Sequence, residues 1–357
     1  MLNAPKVSIV IAAFNAASFI SETIESILAQ SYSNWEAIFV DDHSTDATAA
    51  IIKDYAEQDS RIRYQLALRH AGRPSTNRNI GIQLASGDFI TFMDADDVYL
   101  PNGLDVLIQP LLNDDKLNAS MAFPYYTDSQ LKPLHPSPHL VDAENGRYDF
   151  SPNFELSWEK ICKRKLYLFV CSVMFRGSIL KQLPPMDETL LTGDDFKLLV
   201  NLFRLGFDKV KAIPECTYWY RNYAGSITKN PLRLVKACES HIALTEWLFS
   251  LPELPAEMQA LKGYHLSHRL AVLTLTLTRM ERRDLAWKVI FMSFRFNYIS
   301  PKIWATFFGK ETLRLCTPEP VKVLARKRRK NPTVNYYKQN SGANPLPTFT
   351  SSSAPAG

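Results

Sequence analysis

The chain has 357 residues, 46% of them hydrophobic and 22% charged, with a net charge of +5. That balance supports a sizeable folded core and excludes wholesale disorder. Five cysteines without CxxC spacing suggest neither a disulfide framework nor a zinc site, so a reducing, cytoplasmic setting is expected. The first residues lack the charged, apolar and small-residue blocks of a secretory signal, and no apolar run is long enough to span a bilayer. From Arg314 onward there are eight Lys or Arg against one acid, among them ArgLysArgArgLys at 326–330. Such a run is either a solvated tail or an attachment to anionic lipid or another polyanion.

The first hundred residues alternate short apolar runs with helical periodicity, the pattern of a parallel sheet with crossover helices. Val7 to Ala13 is almost wholly apolar and reads as a strand covered on both faces. Ile20, Ile24, Ile27 and Leu28 then share one face of a helix expected from Ser18 to Gln30. Glu36 to Val40 is the second strand. Asp46 can cap a helix carrying Ile51, Ile52 and Tyr55; Ile62 to Leu66 is the third strand and Ser75 to Ala85 the third helix. Phe89 to Met93 is the fourth strand, running into AspAlaAspAsp at 94–97, and Pro101 suits the first turn of another helix.

Beyond residue 119 the pattern is mixed. SerMetAlaPheProTyrTyr at 120–126 and LeuPheValCysSerValMetPhe at 168–175 read as strands, separated by a polar, Pro-rich passage, and Asp194 to Leu205 as a helix. The expected organisation is a catalytic domain over 1–230, a helical extension over 231–315, and a basic, then disordered, tail over 316–357.

Three acidic clusters stand out: Asp41 with Asp42, Asp94 with Asp96 and Asp97, and Asp194 with Asp195. The first two end parallel strands, and in open α/β sheets the ligand crevice lies outside those carboxyl ends, so they should converge. A single Asp in such a place is commonly a turn or cap residue, but this many carboxylates repel one another unless a cation joins them. Oxygen ligands and substrate phosphates favour Mg²⁺ or Mn²⁺. The loop after the first strand, PheAsnAlaAlaSer, lacks GxGxxG, and no GxxxxGK[ST] occurs, so dinucleotide-binding and P-loop readings fail. A different nucleotide pocket is needed: Phe14 either lies against a base or packs in the core, and Asp42 can accept a hydrogen bond from a base N–H.

ValSerIleValIleAlaAlaPheAsn at 7–15, ValAspAspHisSerThrAsp at 40–46, ArgAsn at 78–79, GlyAspPheIleThrPheMetAspAlaAspAsp at 87–97 and GlyAspAspPhe at 193–196 together resemble the family 2 glycosyltransferases. TyrArgAsnTyrAlaGlySerIleThr at 220–228 extends the likeness. The resemblance implies an α/β fold of the GT-A type, a mostly parallel sheet flanked by helices. It implies a nucleotide diphosphate sugar donor, a UDP-sugar, and a glycan or lipid-linked glycan acceptor in bacterial exopolysaccharide or lipopolysaccharide assembly, with no nucleic acid partner. By the same resemblance Ala12, Phe14, Asp41, Asp42, Arg78 and Asp94 bind the donor, Asp94, Asp96 and Asp97 hold the metal, and Asp194 or Asp195 is the catalytic base. Asp195 is favoured as the second acid of the pair. The chain departs from the family in having AspAsp where GluAsp is usual, and Phe14 where Tyr is frequent.

Two other activities fit parts of the sequence. The strand ending in AspAlaAspAspVal suits a haloacid-dehalogenase-like phosphatase, although Leu198 stands where that family wants an Asp, and a non-catalytic sugar-nucleotide-binding protein needs fewer acids. Tyr218, Trp219, Tyr220 and Arg221 are either core or acceptor-facing. Leu285 to Phe308, rich in aromatics among Lys and Arg, either packs on the catalytic domain or lies on the inner face of the cytoplasmic membrane.

Overall fold

The computed structural model describes residues 4–136, 141–142, 147–148, 156–162, 169–223 and 231–295. Four strands, β1 (Val7–Ala13), β2 (Trp35–Asp41), β3 (Ile62–Leu66) and β4 (Phe89–Asp94), alternate with helices α1 (Ile20–Leu28), α2 (Thr48–Gln58) and α3 (Pro74–Leu84). There follow β5 (Val98–Tyr99), α4 (Gly103–Asn113), β6 (Ala119–Thr127), β7 (Pro133–Pro136), β8 (Val141–Asp142), β9 (Arg147–Tyr148), α5 (Trp158–Cys162), β10 (Val173–Arg176), α6 (Gly177–Leu180), α7 (Asp194–Arg204) and β11 (Val210–Arg221). Helices α8 (Pro231–Phe249), α9 (Leu261–Arg279) and α10 (Arg283–Arg295) complete the described chain.

The sheet order is β3-β2-β1-β4-β10-β6-β11-β5, with β7 beside β6, while β8 and β9 pair apart. Strands β3, β2, β1 and β4 are parallel, β10 runs antiparallel to both β4 and β6, and β11 is parallel to β6. The chain reverses its direction of strand addition at β1, with β2 on one side and β4 on the other, so a crevice opens beyond the carboxyl end of β1. The core forms on both sides of these strands: Val7, Ile9, Val10 and Ile11, all fully buried, leave β1 no polar face to water.

Two expected elements are corrected. Residues 170–172 form a 3₁₀ turn before β10, because the Ser172 amide and hydroxyl both donate to the Phe169 carbonyl and close the chain on itself. Helix α4 begins at Gly103, after Pro101, where Gln30 Oε1, just beyond the end of α1, accepts the Leu104 N–H at 2.9 Å and caps the helix from another part of the chain. Helices α8 to α10 belong to the same compact unit as the sheet. Leu248 and Phe249 of α8 join the main core, whereas Cys238, Ile242, Leu266, Leu270 and Val289 build a second apolar cluster among the three helices.

One close approach sets the position of α3. A Cβ added at Gly81 would stand 2.2 Å from Val10 Cγ1, inside contact distance with a fully buried β-branched side chain. Only glycine lets this helix, which carries Arg78 one turn earlier, lie so near β1. Gly81→Ala should cost about 1–3 kcal/mol by overpacking, read from the midpoint of denaturant unfolding. An unchanged midpoint would show that helix and strand have room to part without cost.

Candidate active site

Register places the expected donor residues at one edge. Ala12 pairs with Val40 of β2 on one side and Asp94 of β4 on the other, and Ala13 pairs with Asp41. A small side chain at Ala12 thus separates the two acidic clusters. Beyond β1, Phe14 is 41% exposed, which settles the choice between core and surface in favour of the surface. Its ring lies 4.9 Å from that of His70, tilted by 35°.

Asp41 and Asp42 are buried and do different work from each other. Asp41 accepts hydrogen bonds from the Ser44 amide at 3.0 Å and the Tyr64 hydroxyl at 3.0 Å, which ties the loop after β2 to β3. Asp42 accepts the Ala71 amide at 2.8 Å on one oxygen and the Gly72 amide at 2.7 Å on the other. His70 Nδ1 lies 2.8 Å from the Asp42 carbonyl oxygen, so Asp42 holds in place the loop that presents His70 to Phe14. The sequence reading missed His70. Its signal was the HisAlaGly triplet just before Pro74, since Gly72 has a φ of +66° and supplies the turn into α3.

Arg78 of α3 is buried and joins the remaining clusters. Its Nη2 donates to Asp94 Oδ1 at 2.7 Å and its Nη1 to Asp194 Oδ2 at 3.4 Å, while Nε is buried with no partner among the described residues. Burial works to lower the pKa of this guanidinium, but Asp94 and Asp194 outweigh it and the net shift is upward. Asp194 opens α7 after Gly193, whose φ of +90° turns the chain sharply into the helix. Burial raises the Asp194 carboxyl above its ordinary range and Arg78 opposes the rise. Asp195 is partly covered as a residue, its carboxyl is enclosed, and burial followed by the charge of Asp194 pushes its pKa up to about 7.

Asp94, Asp96 and Asp97 present carboxylate oxygens within 4.8 Å of one another. Burial and the charge of Asp94 push Asp96 up to about 6; burial and the charges of Asp96 and Asp94 hold Asp97 well above the usual range. Asp97 Oδ1 accepts the Arg221 amide at 2.9 Å, and its Oδ2 is buried without a partner among the described residues. Of the aromatic run on β11, Tyr218 and Trp219 are core, whereas Tyr220 is half-buried with its ring 5.0 Å from Tyr126 and 5.9 Å from Phe169.

A sheet of this order, with acids gathered beyond its carboxyl edge, is the architecture of the GT-A nucleotide-diphospho-sugar transferases. The family model described as Glycosyl transferase family 2 matches residues 8–183, and that segment of the chain belongs to the family. The uncharacterized glycosyltransferase EpsJ of Bacillus subtilis (strain 168) is 28% identical over 67% of this chain and 67% of its own length. The UDP-Glc:alpha-D-GlcNAc-diphosphoundecaprenol beta-1,3-glucosyltransferase WfgD of Escherichia coli is 38% identical over 30% of this chain and 42% of its own. The chain therefore spans less than half of some relatives that it matches. Among solved structures, the mannosyltransferase PcManGT from Pyrobaculum calidifontis, in complex with GDP-Man and Mn²⁺, has a TM-score of 0.52 at 13% identity, covering 96% of this chain and 89% of that one. That likeness shows the fold alone. The phosphatase reading finds no support.

The crowded acids have a consequence for stability. A carboxyl whose pKa is raised on folding holds its proton more tightly in the native state, so its contribution is complete below the unfolded value of about 4 and is lost as pH rises through the folded value. For Asp96 and Asp195 that loss runs through about 6 and about 7. Metal-free protein should melt several degrees lower near pH 8 than near pH 5.5, and Asp195→Asn should flatten this dependence. A melting point that rises over the same interval would contradict the electrostatic picture.

Proposed function

We propose that the protein transfers a sugar from a nucleoside diphosphate, a UDP-sugar, to a hydroxyl of a glycan or lipid-linked glycan, with inversion, in assembly of a surface or exopolysaccharide. The observation that carries this reading is the span of one buried guanidinium: Arg78 touches Asp94, at the donor edge, and Asp194, in the pair expected to hold the base. Membership of the family supports sugar transfer, and WfgD, whose name specifies a diphosphoundecaprenol-linked acceptor, supports the acceptor class.

The acidic turn fits a hard divalent cation. Three carboxylates close together, two of them, Asp96 and Asp97, pushed toward protonation by burial and by neighbouring charge, with an unpartnered buried oxygen on Asp97 among the described residues, form an all-oxygen donor set suited to Mg²⁺ or Mn²⁺. When bound, such an ion neutralises charge gathering on the departing diphosphate. Phe14 and His70 flank the base, and Asp42 keeps their loop in register. Asp41 supports the pocket from within, its carboxylate bonded to Ser44 of the loop and to Tyr64 of β3.

Arg78 also divides the roles of the acid pair. Asp194 is engaged by the guanidinium, whereas Asp195 has no cation in hydrogen-bond contact among the described residues and has its pKa pushed up to about 7. Asp195 is therefore the base: it takes the acceptor proton as that oxygen attacks the anomeric carbon from the side opposite the nucleoside diphosphate. One displacement inverts the centre. Asp195→Asn should reduce the transfer rate by roughly 10²- to 10⁴-fold, the usual worth of a general base, with donor affinity nearly unchanged. Asp194→Asn should act more weakly, by loosening Arg78. Near-native transfer by Asp195→Asn with loss in Asp194→Asn would reverse the two roles.

Donor binding should depend on the cation through Asp96. Nucleotide at 100 times its dissociation constant adds about 2.7 kcal/mol to stability, easily seen as a rise in melting temperature. Asp96→Ala should abolish the Mn²⁺-dependent part of the rise produced by UDP; an undiminished rise would remove Asp96 from the metal site.

A lipid-linked acceptor calls for a membrane-facing surface. Helix α10 buries Leu285, Ala286, Val289 and Ile290 in the second apolar cluster, while Trp287 (57% exposed) and Phe291 (67% exposed) stand one turn apart on its outer face with Lys288 beside them. No helix among the described residues is long and apolar enough to cross a membrane. The pair suits shallow insertion into an anionic surface, aided by the basic run at 326–330; that run and residues 296–308 lie outside the described residues. Trp287→Ser combined with Phe291→Ser should reduce sedimentation with anionic vesicles at low salt. Equal sedimentation of variant and wild type would exclude α10 as the contact.

A further inference from the structure

Arg221, the last residue of β11, is 2% exposed and has no part in the reaction described above. Its guanidinium reaches three separate segments. Nε donates to the Asp96 carbonyl oxygen at 2.8 Å, Nη1 to the Ser129 carbonyl oxygen at 2.7 Å, and Nη2 to Glu22 Oε2 of α1 at 2.6 Å. The same residue's backbone N–H donates to Asp97 Oδ1 at 2.9 Å, and the guanidinium lies 4.6 Å from the centre of the Phe19 ring. A buried cation is costly unless its donors are satisfied, and here every arm of the fork has an acceptor. Two of the four contacts fall on consecutive residues of the acidic turn.

We propose that Arg221 is a positioning residue for the cation site. Anchored at Glu22 and Ser129, it holds the Asp96 main chain, while its own amide occupies one oxygen of Asp97 and leaves the buried Oδ2 available to the ion. This rests on reading the acidic turn as the metal site. The arrangement makes β11 and α1, neither of which supplies a metal ligand, part of the apparatus that sets ligand geometry. Lysine retains the charge but is a point donor on a flexible stem, and cannot reproduce three divergent bonds from one planar group.

Charge and geometry predict opposite signs. Removing a positive charge beside a cation site would by itself tighten Mn²⁺ binding, whereas losing the clamp would weaken it. The test is the Mn²⁺ dissociation constant at saturating UDP, from the electron paramagnetic resonance of free Mn²⁺, in wild type, Arg221→Lys and Arg221→Gln. Both variants should bind Mn²⁺ at least about tenfold more weakly, the usual effect of losing a group that orients a ligand, with UDP affinity in chelator unchanged. Equal Mn²⁺ affinity in Arg221→Lys, tighter binding in Arg221→Gln, or an equal loss of metal-free UDP binding would overturn the proposal. Failure of the wild type to bind Mn²⁺ with UDP would instead overturn the metal reading itself. Should both Arg221 variants fail to fold, Glu22→Gln decides, since Glu22 is half-exposed at its side chain. Measured at about 1 M salt, where the screening length is about 3 Å and through-space effects are small, it should still weaken Mn²⁺, and equality with wild type there would overturn the clamp.

Discussion

The site depends on one buried guanidinium. Arg78 is the point at which the acids after β4 and the acids opening α7 meet, 2.7 Å from Asp94 and 3.4 Å from Asp194. These clusters come from distant parts of the chain, and without a cation between them the two carboxylates would drive the elements apart or remain protonated. Gly81 is part of the same arrangement, because it brings α3 close enough to β1 for Arg78 to reach between β4 and α7. Packing of a helix on a sheet thereby becomes the placement of a charge.

That placement leaves a deliberate shortage of positive charge. Five carboxylates, on Asp94, Asp96, Asp97, Asp194 and Asp195, share two buried guanidinium groups, those of Arg78 and Arg221, and burial and mutual repulsion still raise four of them above their ordinary range. On the proposed reading a divalent ion would relieve the acids of the turn, and a diphosphate would supply the further oxygens such an ion requires. Asp195 lies outside Arg78's hydrogen bonds and keeps a raised pKa, which suits proton transfer near neutrality. The crowding of charge that should lower the stability of metal-free protein at high pH is the crowding that a cation would relieve.

Much of this was legible in the sequence, for a physical reason. Strands β1, β2 and β4 are covered on both faces, so they appear as largely apolar runs, and the acids that end β2 and β4 mark the crevice by position alone. Ala12, Phe14, Asp42, Arg78, Asp94, Asp96, Asp97, Asp194 and Asp195 could be named without coordinates. What they bond could not. The backbone amides that occupy Asp42, the Tyr64 hydroxyl on Asp41 and the clamp of Arg221 are long-range contacts with no periodic signature. Strand β10 was legible, as the end of a longer run over 168–175, but its antiparallel place between β4 and β6 was not.

On the proposed function one crevice would hold the base near Phe14 and His70, the diphosphate and cation at the Asp94–Asp97 turn, and the acceptor beside Asp195. A crystal structure of the protein grown with UDP and Mn²⁺, with data collected at the manganese absorption edge, tests it most directly. The account predicts an anomalous peak coordinated by carboxylate oxygens of the Asp94–Asp97 turn and by the diphosphate, with the uracil ring against Phe14 and His70. An anomalous peak away from that turn, or a uracil bound elsewhere on the protein, would contradict it.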